Sequence, residues 1–165
     1  MKILFIHEVN WKRKPIFEIH DYPELLSLRG HDVSFIDFPE NERLKICRKF
    51  LSFTTGESLD QSRAHLGSKV RLVTPGRIVG SPLDRFLHSL TFVPLLIRTL
   101  SGKKYDVIVL YGVPTNGWQT VAIAKFFGVP VLFRAIDVSH QLRKTKYKLL
   151  IKLAERFVYK RASWI

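Results

Sequence analysis

A single cysteine, Cys47, stands among 165 residues, so no disulfide forms within the chain, and this usage fits a reducing compartment. The glycine patterns of nucleotide-binding loops are missing. No G-x-G-x-x-G follows the first apolar run, where HEVNWKRK stands at 7–14, and no G-x-x-x-x-G-K-[ST] occurs anywhere. Glycine lets backbone amides approach a pyrophosphate, so dinucleotide binding at the first strand is disfavoured. No G-x-S-x-G elbow is present for a hydrolase, and six scattered histidines give no metal-ligand spacing. No metal site is therefore expected. The N-terminal apolar stretch is too short for a signal peptide, and no run approaches the ~18 uncharged apolar residues of a membrane span. The longest, 89–97, is interrupted by Pro94. Acidic residues are also scarce, 14 against 27 Lys and Arg, a formal charge of +13. That excess favours nucleic acid, phospholipid headgroups or phosphorylated small molecules, or is a solvated basic surface with no partner. Nucleic acid is the weakest of these, because neither interleaved aromatic platforms nor a recognition-helix motif is found.

What is present is ordinary for a folded domain. Apolar residues make up 46% of the chain, which excludes disorder. One domain over 1–165 buries about 70% of its accessible surface at this length. The organising stretch is 105–137. A β-branched apolar run at 107–110 leads through a loop with Gly112, Pro114, Asn116 and Gly117 into a helix from 119. Gly128 closes that helix, and a second apolar run follows at 131–133. This is a βαβ unit, whose strands are parallel. Further strands are predicted at 2–7, 32–38 and 70–73, with the opening of a sixth at 162–165. Between the first two strands a helix opens at Pro15 and kinks at Pro23, or begins afresh at Pro23 capped by Asp21 or Tyr22, and ends at Gly30. A helical face is readable over 44–53, and a long apolar helix over 82–100, N-capped by Ser81. A basic amphipathic helix over 141–161 has the apolar stripe Leu149, Leu150, Leu153, Ala154, Phe157 and Val158. Eight Lys or Arg and one acid lie between 142 and 165. Such a helix covers a sheet, and its basic face adds attraction to an anionic membrane surface. The alternation predicts one α/β domain, a Rossmann-like doubly wound parallel sheet with helices on both faces and strand order 3-2-1-4-5-6.

In such sheets chemistry gathers beyond the carboxyl ends of the strands, at the point where strand order reverses. That places His7, Glu8 and Asn10 opposite Tyr111, Thr115 and Asn116. His7 and Glu8 are candidates for acid, base or sugar ligand, or a strand-end histidine bonded to backbone. Asp137 directly follows the fifth strand and either orients a substrate hydroxyl, serves as a base, or caps the next helix. His140 reads as a surface residue before a catalyst. Arg134 is placed to pair with a phosphate or with Asp137. Thr115, Asn116 and Gly117 open a helix whose free N–H groups favour an anion or an oxygen-rich ligand.

The succession KILFIH, LLSLRGHDVSFID, KKYDVIVLYG, GVPVLFRAID and LAERFVYKRASWI resembles the N-terminal domain of family-4-type glycosyltransferases with the GT-B fold. The resemblance spans nearly the whole chain. Its most specific pieces are RGHDV at 29–33, YDVIVLYG at 105–112, GVPV at 128–131 and the closing YKRASWI. It implies a retaining transferase that moves a sugar from a nucleotide-activated donor to an acceptor, and the basic charge of the chain points to a glycan or lipid-linked one. This half would bind the acceptor, and a second Rossmann-like domain or subunit would hold the nucleotide sugar, so this chain carries no cofactor of its own. By that resemblance the chain is expected to stop before a donor domain and to be inactive alone. It would be cytoplasmic, held peripherally at the membrane by its basic face. Asp137 and His7 would be its catalytic residues, with Glu8, Asn10, Tyr111, Thr115, Asn116, Arg134 and His140 lining the acceptor side. Three positions depart from the family pattern: KRKP at 12–15 replaces a glycine pair, Tyr111 replaces a histidine, and Ile136 stands where a histidine often precedes the aspartate. The alternative is a non-enzymatic α/β binding module for an anionic ligand or a protein partner.

Overall fold

The first apolar run becomes β1 (Lys2–His7), and its alternation decides the layering. Leu4 and Ile6 point into one core; Ile3 and Phe5 point into the other. Both faces are therefore covered, as expected of a strand in a parallel sheet. The computed structural model describes residues 1–38, 56–76, 88–112, 115–136 and 148–165. Around β1 lie the parallel strands β2 (Asp32–Ile36), β4 (Val70–Thr74), β5 (Val107–Tyr111) and β6 (Val131–Arg134). The sheet order is β3-β4-β2-β1-β5-β6, where β3 (Gly56–Gln61) pairs antiparallel with β4. The parallel part follows the predicted order, and the switch point lies between β1 and β5, with His7 in register with Tyr111.

Helix α1 (Glu18–Leu28) packs on the core of Ile3, Phe5, Trp11, Phe35 and Tyr111. The opposite core, around Leu4, Ile6, Phe92, Leu96, Ile108 and Val158, is covered by α2 (Ser89–Gly102), α3 (Gly117–Phe126) and α4 (Lys148–Arg161). Each fully buried Leu, Ile or Phe in these cores contributes about 1.5–3 kcal/mol. Two helix ends are set by glycine. Gly30 and Gly128 have φ of +84° and +67°, a region that disfavours other residues. At the second, Gly128 N–H donates to the Lys125 carbonyl and Val129 N–H to Ala124, the paired bonds of a Schellman end. No helix among the described residues is long and apolar enough to cross a membrane.

Four expectations need correction. Neither Pro15 nor Pro23 starts α1: it begins at Glu18 and runs through Pro23. Its start is set by Phe17, whose N–H donates to Nδ1 of His20 at 3.4 Å, and by burial of Ile19, His20, Pro23 and Glu24 on one face. That burial outweighs the one backbone bond the proline removes. Second, β3 has no apolar pattern in GESLDQ. It forms by pairing with β4 at an exposed edge and carries an irregularity between Ser58 and Gln61. Third, the strand opening expected at 162–165 is present beside β6 but extends no further than a single parallel bridge, Leu132 to Trp164. Fourth, only Ala154 and Val158 of the predicted α4 stripe face the core. The helix seats Ile151, Glu155 and Val158 inward and leaves Leu149, Leu150, Leu153 and Phe157 exposed. The helical face at 44–53, the Ser81 cap with the first turn of its helix, Asp137, His140 and residues 141–147 lie outside the described residues.

Candidate functional site

The loop leaving β1 is built by one side chain. Asn10 Oδ1 accepts the N–H groups of Lys12 and Arg13, both at 3.1 Å, and the Asn10 carbonyl receives Arg13 and Lys14 N–H. This turn replaces the flexibility that glycines would have supplied. It drives Trp11 inward, where the indole is fully buried against Phe35 and His20, each at 4.5 Å between ring centres. Arg63 holds the loop from below, donating to the carbonyls of Trp11 and, at 2.8 Å, Lys14. The 63–65 turn is itself fixed by Glu24, whose carboxylate accepts three backbone N–H groups at 2.7, 2.9 and 2.6 Å. The basic loop 12–14 is thus mounted on a rigid base.

Glu8 reaches across the switch point. Its Oε1 accepts the N–H of Thr115 at 2.7 Å and of Asn116 at 2.6 Å. The anion expected at the start of α3 is therefore a side chain of the protein itself, favourably placed toward the helix dipole. The same strand ends and helix start carry buried polar atoms with no hydrogen-bond partner among the described residues: His7 Nδ1, Glu8 Oε2, the Tyr111 hydroxyl, Thr115 Oγ1 and Asn116 Oδ1. His7 and Tyr111 are adjacent, with ring centres 5.5 Å apart. Burial, helped by the charge of Lys14, lowers the His7 pKa to about 4, so the imidazole is neutral at pH 7. A neutral ring suits hydrogen bonding and is a weak base. Burial first, and then the nearby Glu18 carboxylate, push the Tyr111 phenol above its ordinary pKa.

Arg134, at the end of β6, pairs with Glu18 rather than with an aspartate: Nε donates to Oε1 at 2.8 Å and Nη2 to Oε2 at 3.3 Å. This fork ties the first turn of α1 to the far strand, above Tyr111. The hydrogen bond from Arg134 holds the Glu18 carboxyl below its ordinary value.

His7, Glu8, Tyr111, Thr115 and Asn116 are thus brought together at the crevice. Asn10 shapes its loop and Arg134 closes one side, while Asp137 and His140 lie outside the described residues. Sequence reasoning missed Glu18 and Asp37. Asp37 follows β2 and is 2% exposed; its Oδ2 accepts Trp11 N–H at 3.3 Å, and Oδ1 has no partner among the described residues. Burial raises its pKa to about 6, despite the Thr74 hydroxyl, the Trp11 N–H and Lys12 acting the other way. Asp37 can therefore hold or release a proton near neutrality. Its position in DVSFIDF, at the carboxyl end of a parallel strand, was the available signal. Among the described residues no group of three or more His, Cys, Asp or Glu could hold a metal ion.

A mostly parallel, doubly wound sheet with polar residues at the carboxyl ends of its central strands defines a Rossmann-like domain of the α/β class. Comparison of the sequence with family models then specifies it: residues 20–165 match the glycosyl transferase 4-like domain. The chain belongs to that family, and its function is of glycosyltransferase type. No curated protein matched the chain significantly.

Proposed function

We propose that this domain is the acceptor-binding half of a glycosyltransferase. In that reading it presents a glycan or lipid-linked acceptor to a nucleotide sugar held by a separate domain or subunit. The observation that carries the reading is a set of polar atoms, at the strand ends and helix start of the switch point, that have no partner among the described residues. A buried polar group without a partner costs about 1–3 kcal/mol, and five such atoms belong to residues at the ends of β1 and β5 and the start of α3, where this fold class binds ligands. They include two hydroxyls, a carboxylate oxygen, an amide oxygen and a neutral imidazole nitrogen. A sugar, whose hydroxyls both donate and accept, answers that mixture better than a phosphate, which only accepts at full ionisation. Glu8 already fills the helix N-terminus, which favours a neutral hydroxylated ligand over an anion at this point. His7, whose imidazole is neutral at pH 7, serves as a hydrogen-bond partner.

The test is a nuclear magnetic resonance titration with methyl glycosides of glucose, mannose and N-acetylglucosamine, on the parent chain and on Tyr111→Phe and Thr115→Val. The reading predicts amide shifts concentrated at 7–10 and 111–120, and an affinity lowered roughly tenfold by either substitution. Shifts elsewhere, or equal affinity in both variants, would reject it.

A further inference from the structure

The outer face of α4 plays no part in the crevice. At about 100° per residue, Leu149, Leu150, Leu153 and Phe157 share an arc of about 100°. This arc lies opposite the side that buries Ile151, Glu155 and Val158. The four side chains are 68%, 55%, 54% and 39% exposed, so this is a continuous apolar stripe facing away from the sheet. Single exposed apolar residues are ordinary, but a contiguous stripe marks an interaction surface. Its borders are cationic. Lys148, Lys152 and Arg156 follow one another at four-residue spacing along one flank, Lys160 stands within the arc at the C-terminal end of the helix, and Arg161 lies just past the other edge. The one acid of the helix, Glu155, is on the buried face.

We propose that this face docks on an anionic lipid bilayer. The stripe enters the boundary between headgroups and acyl chains while the flanking cations lie among the headgroups. Charge selects this occupant. A second copy of the chain would bring two cationic flanks, each on a body of formal charge +13, against one another. A bilayer rich in acidic lipid is complementary to both the stripe and its borders. The inference is independent of the crevice and goes beyond sugar binding: it orients the domain on a surface.

The experiment is co-sedimentation of the 165-residue chain with vesicles of phosphatidylcholine alone and of phosphatidylcholine mixed with phosphatidylglycerol. Binding to the mixed vesicles is expected to exceed binding to the neutral ones by at least roughly tenfold and to fall as salt is raised. The triple substitution Leu149→Ser, Leu153→Ser, Phe157→Ser lowers partitioning at least about tenfold. The pair Lys152→Gln, Arg156→Gln lowers it by roughly fivefold per charge removed. Because all five side chains are exposed, thermal unfolding is expected to stay near that of the parent. Undiminished binding by both variants would overturn the proposal, and so would failure to bind the mixed vesicles. A dimer in sedimentation equilibrium that the triple substitution dissociates, without vesicle binding, would instead assign the face to a second copy.

Discussion

Removing the Glu8 carboxylate tests how the crevice is held. In Glu8→Ala two backbone N–H groups, of Thr115 and Asn116, lose acceptors at 2.7 and 2.6 Å. Glu8 is 5% exposed, so water replaces the carboxylate poorly. Each orphaned buried donor costs about 1–3 kcal/mol, and loss of an N-terminal helix cap costs about 0.5–2 kcal/mol. These estimates overlap, since the cap is the same pair of bonds, so the expected loss is about 3 kcal/mol. Glu8→Gln keeps an oxygen in place and loses the charge-assisted part of the bonds, roughly half their strength; about 1–1.5 kcal/mol is expected. Urea unfolding followed by circular dichroism reads both, and an unchanged m-value shows that the shift in midpoint is a change in stability. A Glu8→Ala loss below about 0.5 kcal/mol would refute the assignment. A Glu8→Gln variant as unstable as Glu8→Ala would show that the negative charge alone, not the acceptor oxygen, matters.

Two buried titratable groups make opposite contributions to pH dependence. His7 has a folded pKa of about 4, below the 6.5 of an exposed ring, so the unfolded chain binds the extra proton as pH falls from 6.5 to 4 and stability is lost. Asp37 is raised from 3.8 to about 6, so the folded chain holds the extra proton in much the same window and stability is gained as pH falls. At about 1.4 kcal/mol per unit, each is at most on the order of 3 kcal/mol, and the two nearly cancel. Asp37→Asn is therefore expected to lose stability between pH 6.5 and 4 more steeply than the parent, and His7→Gln to gain it, in urea midpoints measured across that range. Gly128→Ala places a side chain at φ +67° with open space around it, so backbone strain alone is expected to cost about 1–2 kcal/mol by thermal unfolding. Glu24→Ala frees three backbone N–H groups in the 63–65 turn, and limited proteolysis is expected to cut there first, much faster than in the parent.

The parallel sheet was legible because its strands are buried on both faces and advertise themselves as apolar runs: KILFIH and VIVLY need no partner to be recognised. Gly30 and Gly128 marked helix ends for a similarly local reason. GESLDQ was not legible, because an edge strand takes its structure from the neighbour it pairs with and carries no hydrophobic alternation of its own. The start of α1 is not legible from its prolines, because it depends on the tertiary burial of Ile19, His20 and Glu24. The apolar stripe of α4 does not by itself say which of its residues face the core. Composition could not tell a helix that packs through Ile151, Ala154 and Val158 from one that packs through Leu149, Leu153 and Phe157. At the crevice, the topology brought His7, Glu8, Tyr111, Thr115 and Asn116 together as strand ends must be. That Glu8 would spend its charge on the backbone of Thr115 and Asn116, and that Arg134 would choose Glu18, are contacts between residues more than a hundred positions apart. No local pattern encodes them.

Which side of the transferase this domain forms is tested most directly by calorimetry of this chain with UDP-glucose, UDP-N-acetylglucosamine and GDP-mannose, in parallel with the methyl glycosides. The acceptor-side reading predicts glycoside binding that depends on Tyr111 and Thr115, with no measurable heat from the nucleotide sugars. Tight binding of any nucleotide sugar, retained in Tyr111→Phe and Thr115→Val, would contradict it and make this domain the donor side.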